Sequence, residues 1–351
     1  MNSQPSIKPE DVDLDAFDAI LDVRPRWSNR TSISGMVPAP LDELIADPDG
    51  FIPTPGSATL VVCDVGLRSA FAASHLTAIG YTAVISLDGG LDQWRRQGLP
   101  VIGTAGLTDA QLERFDRQIK LPGIGAVGQS RLLDAAVAVV GVGGLGAPVV
   151  AYLAAAGVGM LRLIDPDVVE ISNLQRQPIF QTTDAGTPKV GAAQRFINGL
   201  TTETDVDTRP VALDAANAET LLAEVDVVVD ATDSFAARYA ISDAGHRLAV
   251  PVVSGAVYRW EGQVTTLEPG GPCYRCLFPE PPEAIEYLDC AVIGAIGPVV
   301  ATIGTIQATE VIKILAGETS SYAGRLGLYD GSDGKLVTVP VSRRSGCPTC
   351  G

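Results

Sequence analysis

The sequence predicts an α/β protein of two domains. A small one covers residues 1–104, and a doubly wound parallel sheet covers 105–351, ending in a cysteine-bearing β segment. Three observations carry this. A chain of 351 residues suits two domains. Short apolar runs alternate with helically spaced stretches twice, on either side of Gly103-Thr-Ala-Gly106. The second pattern contains a continuous apolar run that feeds directly into Gly141-Val-Gly-Gly-Leu-Gly146.

In the first domain, Ala19–Val23, Ala58–Val62 and Ala83–Leu87 read as strands. Ser69 to Ile79 has helical spacing, and a short helix is expected around Trp94 after Gly89-Gly90. In the second, Thr108-Asp-Ala-Gln can cap a helix. Ala136–Val140 is apolar throughout, as a strand buried on both faces should be. A small-residue helix follows through Ala156, then the strand Met160–Ile164 ending at Asp165. Asp226–Asp230 and Val250–Ser254 repeat the strand theme. Such alternation defines a doubly wound, Rossmann-like sheet. From Gly262 the pattern changes to shorter β pieces, interrupted by one long helix from Val299 to Leu315.

The net charge is −16, from 25 basic and 41 acidic residues. That argues against a nucleic-acid binder, which needs Lys and Arg to meet phosphates. The apolar runs are broken within roughly a dozen residues, so no membrane span is expected. The first residues carry no apolar signal-peptide core. With paired cysteines this makes the cytosol, with reduced thiols, the expected compartment.

The glycine loop carries chemistry. Gly141, Gly143 and Gly146 form G-x-G-x-x-G, and Gly144 adds a further gap. Without Cβ atoms, backbone N–H groups can approach phosphate oxygens at a helix N-terminus. Asp165, nineteen residues past Gly146, lies where an acid would meet ribose hydroxyls. This much suits NAD equally well. The residues beyond it favour a triphosphate. Asn173, Arg176 and Gln177 follow within Asp165–Gln177, and Lys189 follows in Thr187-Pro-Lys189. Such donors answer charge that develops on phosphate oxygens. Asp233, just after a strand, is placed to hold Mg²⁺.

Six cysteines divide by pattern. Cys273/Cys276 and Cys347/Cys350 are two C-x-x-C pairs about seventy residues apart. Four thiolates so paired suit one tetrahedral structural Zn²⁺. Cys63 and Cys290 remain, both in segments that look reactive.

These motifs resemble the ubiquitin-activating enzyme family, in particular its MoeB- and ThiF-type bacterial adenylyltransferases. The resemblance runs from about Leu107 to Gly351. It rests on Arg114-Phe-Asp-Arg-Gln118, the glycine loop, Ser172–Gln177, Ala231-Thr-Asp233, both C-x-x-C pairs and Cys290–Pro298. It implies adenylation, by ATP and Mg²⁺, of the C-terminal glycine of a small ubiquitin-like sulfur carrier ending in Gly-Gly. By that resemblance Asp165 holds the ribose, Asn173, Arg176 and Lys189 the phosphates, and Asp233 the Mg²⁺. Arg117 would reach as an arginine finger into a partner subunit's site, implying a homodimer. Cys290 would be a loop cysteine that attacks the carrier adenylate or exchanges sulfur, although the acid Asp289 beside it disfavours a thiolate.

Cys63-Asp-Val-Gly-Leu-Arg68 follows an apolar strand and precedes a helix. Successive N–H groups there form an anion nest, and the helix dipole favours a thiolate. With Leu21-Asp-Val-Arg24, Leu87–Trp94 and Gly98-Leu-Pro100, it resembles a rhodanese domain. The resemblance makes Cys63 the bearer of a persulfide and Arg68 part of its loop. Thiosulfate or a cysteine desulfurase would be the sulfur donor. The whole chain then reads as a sulfur-carrier activating enzyme that makes a carrier thiocarboxylate. Molybdopterin, thiamine, cysteine and tRNA thiolation pathways all remain open. An NAD-dependent oxidoreductase and a nucleotide-binding docking scaffold are the alternatives.

Overall fold

The computed structural model describes residues 6–24, 32–101, 107–280 and 294–351. By compactness the chain divides into Met1–Ser130 and Arg131–Gly351. The expected junction at 104/105 lies outside the described residues, and the helices between Asp109 and Ile119 group with the first unit.

The first unit holds a five-stranded sheet of β1 (Ser6–Ile7), β2 (Ala19–Asp22), β3 (Met36–Pro38), β4 (Thr59–Val62) and β5 (Val84–Leu87). Their order is β1-β5-β4-β2-β3, and every pairing is parallel. β4 is central and wholly buried, because Thr59–Val62 has apolar layers on both faces. One layer includes Leu44, Ala72 and Leu76 from the helices Leu41–Ala46 and Leu67–Ala78. The other includes Leu91 and Trp94 from the helix Gly90–Arg96.

The second unit holds an eight-stranded sheet. Its strands are β6 (Ala136–Val140), β7 (Met160–Ile164), β8 (Asp205–Arg209), β9 (Val227–Asp230), β10 (Val252–Tyr258), β11 (Glu261–Leu267), β12 (Arg325–Asp330) and β13 (Lys335–Pro340). The order is β8-β7-β6-β9-β10-β11-β12-β13. From β8 to β10 it is parallel; from β10 to β13 it is antiparallel. The late β pieces are therefore not a separate segment. They extend the same sheet; of the four paired cysteines, Cys273 caps and Cys276 sits in the short helix Tyr274–Leu277, and Cys347 and Cys350 lie in turns past the last strand.

Helices Gly146–Ala156, Lys189–Leu200 and Gly297–Ala316 cover one face; Ala218–Leu222 and Phe235–Leu248 cover the other. The helix Gly297–Ala316 corrects one expectation. It has 20 residues and a mean hydropathy of 1.5, enough to cross a membrane by length and composition. Its packing gives it a core role. Gln307 is fully buried, and its Nε2 donates to Asp230 O and Val253 O at 2.8 and 3.0 Å. Glu310, also buried, accepts from Ser320 Oγ and Ser321 N at 2.6 Å. These bonds, made to other elements of the protein, offset part of the cost of burying polar groups; the Oε1 of Gln307 is left without a partner.

Candidate active sites

In the second unit the connections from β6 run one way to β7 and β8, while β9 and β10 lie on the other side of β6. The carboxyl ends of β6 and β9 thus form a topological switch point, where doubly wound sheets leave a crevice. A cavity of about 640 Å³ opens there, lined by Val140, Ile164 and Ala231 at the strand ends.

The glycines of the loop divide into two kinds. Gly141 has φ +88°, and a Cβ on it would lie 2.6 Å from Ala231 O. A Cβ on Gly146 would lie 2.0 Å from Gly141 O. These two let the loop and the helix Gly146–Ala156 close on the sheet, and Gly146 does not line the cavity. Gly143 and Gly144 do line it. Nothing but Gln177 Nε2, at 3.6 Å, would stand near a Cβ on Gly143, so its backbone faces open space.

Asp165 is buried at the end of β7. Its Oδ2 accepts from Val142 N at 2.7 Å, and its Oδ1 accepts from Asp167 N at 2.8 Å. It therefore ties the glycine loop to the β7 end as well as lining the cavity. Burial pushes its carboxyl above the usual carboxylate range; Lys189 and the two N–H donors oppose this without cancelling it. Lys189 opens its helix with the side chain buried, and its Nζ donates to Asp167 Oδ2 at 2.8 Å. Asn173, also buried, accepts from Glu170 N through Oδ1 at 3.2 Å. Arg176 donates to Ser172 O at 3.1 Å. Asp233 stands exposed after β9. All five side chains line the one cavity.

Two further residues line it: Gln177, which the sequence reading grouped with Asn173 and Arg176 as a donor, and Arg238, which it did not pick out. Arg238, in the helix Phe235–Leu248, is buried and donates through Nη2 to Thr232 O at 2.8 Å. An arginine at a helical position reads as solvated until its burial is seen. Gln177 is 2% exposed, and its Oε1 has no hydrogen-bond partner. Arg117 belongs to the first unit. Its side chain is 94% exposed, with Asp116 at 3.9 Å. Cys290 lies outside the described residues.

The four paired cysteines converge. Sγ–Sγ distances are 3.9 Å for Cys273–Cys276, 3.5 Å for Cys273–Cys347 and 3.4 Å for Cys276–Cys350. All four sulfurs lie within 4.8 Å of one another. Tetrahedral Zn–S bonds of about 2.3 Å would set the sulfurs about 3.8 Å apart, so the donors fit that ion. Burial and the Cys347 sulfur push the Cys273 thiol up. Burial also works against charge on Cys347, but the N–H groups of Cys350 and Thr349 draw it down to about 6.

In the first unit Cys63 ends β4, under the N-terminus of the helix Leu67–Ala78. It is 1% exposed. Its Sγ accepts from Ser69 N at 3.4 Å. Gly66 turns the loop at φ +84°. The helix Gly90–Arg96 clamps the loop from outside: Leu91 N and Asp92 N donate to Cys63 O and Asp64 O, each at 2.9 Å. A Cβ on Gly90 would lie 2.3 Å from Cys63 O, so only glycine allows this approach. Arg68 is half exposed, with Asp64 at 3.9 Å. The buried cation here is Arg24. It binds Asp22 through Nε and Nη2 at 2.8 and 2.7 Å, and Asp64 at 3.4 Å. Burial works against its charge, but the two carboxylates overcome it and hold the guanidinium above its ordinary value.

The glycine loop at a switch point, with converging cations and a cysteine quartet, defines a nucleotide-binding α/β enzyme. The chain belongs to the ThiF family, whose model matches residues 115–349; a rhodanese-like domain model matches residues 9–97. A SAMP-activating enzyme E1 of Haloferax volcanii is 48% identical over 71% of this chain and 92% of its own length. A sulfur carrier protein adenylyltransferase of Thermus thermophilus is 43% identical over 70% and 92%. An adenylyltransferase and sulfurtransferase MOCS3 of Dictyostelium discoideum is 41% identical over 69% of this chain and 57% of its own. Among solved structures, E. coli MccB with ATP superposes with a TM-score of 0.62 at 21% identity, over 71% of this chain and 75% of that one. That last likeness concerns the fold alone.

Proposed function

We propose that the chain adenylates the C-terminal glycine of a ubiquitin-like sulfur carrier and supplies the sulfur that converts it to a thiocarboxylate. One observation carries the first half: Gly143, Gly144, Asn173, Arg176, Lys189 and Asp233 line a single cavity at the switch point. An NAD site needs no such set of phosphate partners.

The carrier's carboxylate attacks the α-phosphorus of ATP, and the α–β bridging bond breaks, releasing pyrophosphate. Two anions must meet, so catalysis is charge neutralisation and in-line positioning. Lys189 and Arg176 offer positive charge, and the loop N–H groups offer dipoles. Asp233 would hold Mg²⁺, which would supply charge neutralisation to the phosphates. The nucleophile is already ionised, so no general base is needed. Arg117, exposed as it is, suits a finger that completes the site of a second copy, which supports a homodimer.

Cys63 takes sulfane sulfur from a donor such as thiosulfate or a cysteine desulfurase. The outer persulfide sulfur then attacks the acyl carbon, and AMP leaves. A second thiol cleaves the resulting acyl disulfide, leaving the thiocarboxylate on the carrier and a disulfide on the enzyme that a dithiol reductant reopens. Cys290 is the proposed second thiol. One Zn²⁺ on Cys273, Cys276, Cys347 and Cys350 is structural in this reading, and a reducing cytosol suits its thiols. ATP–pyrophosphate exchange that depends on a Gly-Gly-ended carrier is the test. Exchange without the carrier, or no exchange with any such carrier, would overturn the proposal.

A further inference from the structure

Cys63 does not stand alone at the end of β4. Ser69, in the first turn of the helix that follows, is fully buried, and Ser86, in the neighbouring strand β5, is 2% exposed. Ser86 Oγ donates to Ser69 Oγ at 2.9 Å. Ser69 Oγ lies 3.4 Å from Cys63 Sγ and 3.1 Å from Gly66 O. Ser69 also offers its backbone N–H to the same sulfur at 3.4 Å.

A hydroxyl has one proton to give. Ser86 fills one lone pair of Ser69 Oγ. The Ser69 proton then has two acceptors within reach, Gly66 O and Cys63 Sγ. While the cysteine is a neutral thiol, its S–H can donate to Ser69 Oγ, and the Ser69 proton rests on Gly66 O. When the sulfur carries charge, a rotation about one bond moves that proton onto it. Donation from Ser86 polarises the Ser69 O–H and strengthens what it offers.

We propose that Ser69 and Ser86 form a hydroxyl relay that stabilises the charged Cys63 sulfur, making them positioning residues for sulfur transfer. The proposal rests on the reading of Cys63 as the sulfur-bearing residue. In loading, the Cys63 thiolate attacks the sulfane sulfur of thiosulfate; the S–S bond breaks and sulfite leaves with the electron pair. In discharge to cyanide, the acceptor attacks the outer persulfide sulfur, thiocyanate forms, and the pair returns to Cys63 Sγ. Loading starts from negative charge on the sulfur that Ser69 faces, and discharge returns negative charge to it. The charged groups around the loop, Asp22, Arg24, Asp64, Arg68, Asp88 and Asp92, are all left in place by changing either serine.

The test is the rate at which iodoacetamide alkylates Cys63 in the full-length zinc-loaded chain, read on the Cys63 peptide by mass spectrometry between neutral and alkaline pH. Ser69→Ala is expected to slow alkylation about tenfold at neutral pH, the scale of one lost hydrogen bond to a charged group. The deficit should close at alkaline pH, where the thiol ionises unaided. Ser86→Ala should slow it about threefold, and should add nothing in a Ser69→Ala background, because Ser86 acts only through Ser69. Ser86→Thr should restore the rate, since a strand accepts a β-branched residue and the hydroxyl is kept. Unchanged rates, a loss equal at every pH, or additive losses would overturn the relay. Thiosulfate–cyanide sulfur transfer is measured alongside. Its absence in the unmutated chain would count against Cys63 as a sulfur bearer, while the alkylation profile would still judge the relay.

Discussion

The two units each present a strand, a tight loop and a helix N-terminus, and they differ in what stands first in the loop. After β4 it is Cys63; after β6 it is Gly141. In the thiol loop the sulfur is buried and meets one backbone N–H and one hydroxyl. The glycine loop instead forms one wall of the cavity of about 640 Å³. One backbone device can thus hold an anion covalently or leave room for one to come and go. In each case a glycine away from the chemistry permits the closure: Gly90 against Cys63 O, and Gly146 against Gly141 O. Carrier-dependent pyrophosphate exchange reads only the second loop, so substitutions can be ranked by how far they disturb it.

The largest loss is expected from Gly146→Ala. Its Cβ would sit 2.0 Å from a backbone oxygen, so the loop or helix must move. Overpacking of that kind costs on the order of 1–3 kcal/mol. The displaced loop would misplace the phosphate donors, and exchange should fall below detection. Near-normal exchange with unchanged ATP affinity would mean that the loop tolerates a shift this geometry forbids.

Next is Asp233→Ala. It should lower exchange at least about a hundredfold, the scale of losing one charge-organising group. ATP should still bind weakly, because Asp165, Asn173 and the loop remain. If exchange stays within a few-fold of wild type, Asp233 does not serve the phosphates.

Much of this was legible in the sequence, for physical reasons that also explain what was not. β6 and β7 were read to the residue: β6 is apolar throughout, as a strand buried on both faces must be, and β7 is apolar except for the partly buried Arg162, which pairs with Asp207. The edge strand β8, Asp-Val-Asp-Thr-Arg, has no apolar run, since it needs only backbone pairing with β7. The antiparallel extension β11 to β13 was seen as β pieces, but their membership of the main sheet depends on long-range pairing. The helix Gly297–Ala316 was seen nearly entire; its buried Gln307 and Glu310 gain meaning only from partners on other elements. In the site, charged residues in a motif stood out. Arg238 and Ser69 did not, because their burial is invisible to spacing, and Arg24 was seen only as part of a motif, not as a buried cation.

A smaller effect on exchange is expected from the zinc quartet. Cys347→Ser should reduce zinc from about one per chain, since a Cys₄ site missing one thiolate no longer closes. A metal held there would constrain a loop of about seventy residues, so melting temperature should drop. Exchange should fall only as far as folding does, because the cluster does not line the cavity. Zinc content unchanged by Cys347→Ser, or no zinc in the unmutated chain, would remove the metal from this site.

The smallest effect on exchange belongs to Cys63→Ala, which should leave it near wild type. In the proposed mechanism carboxylate activation uses groups around the second loop and Arg117 of a second copy, none of them in the thiol loop, and every residue lining that cavity lies beyond Arg131. The same variant should lose all thiosulfate-dependent thiocarboxylate formation, measured by mass spectrometry of the carrier. Cys290→Ala should also spare exchange, because the adenylate forms before any thiol acts, and should slow sulfur delivery if Cys290 is the second thiol. The contrast between the two readouts is what matters. Full thiocarboxylate formation from thiosulfate in Cys63→Ala would reduce the first unit to a docking module. A collapse of exchange in a folded Cys63→Ala chain would mean that occupancy of the thiol loop controls the nucleotide loop, and the two cradles would not be independent.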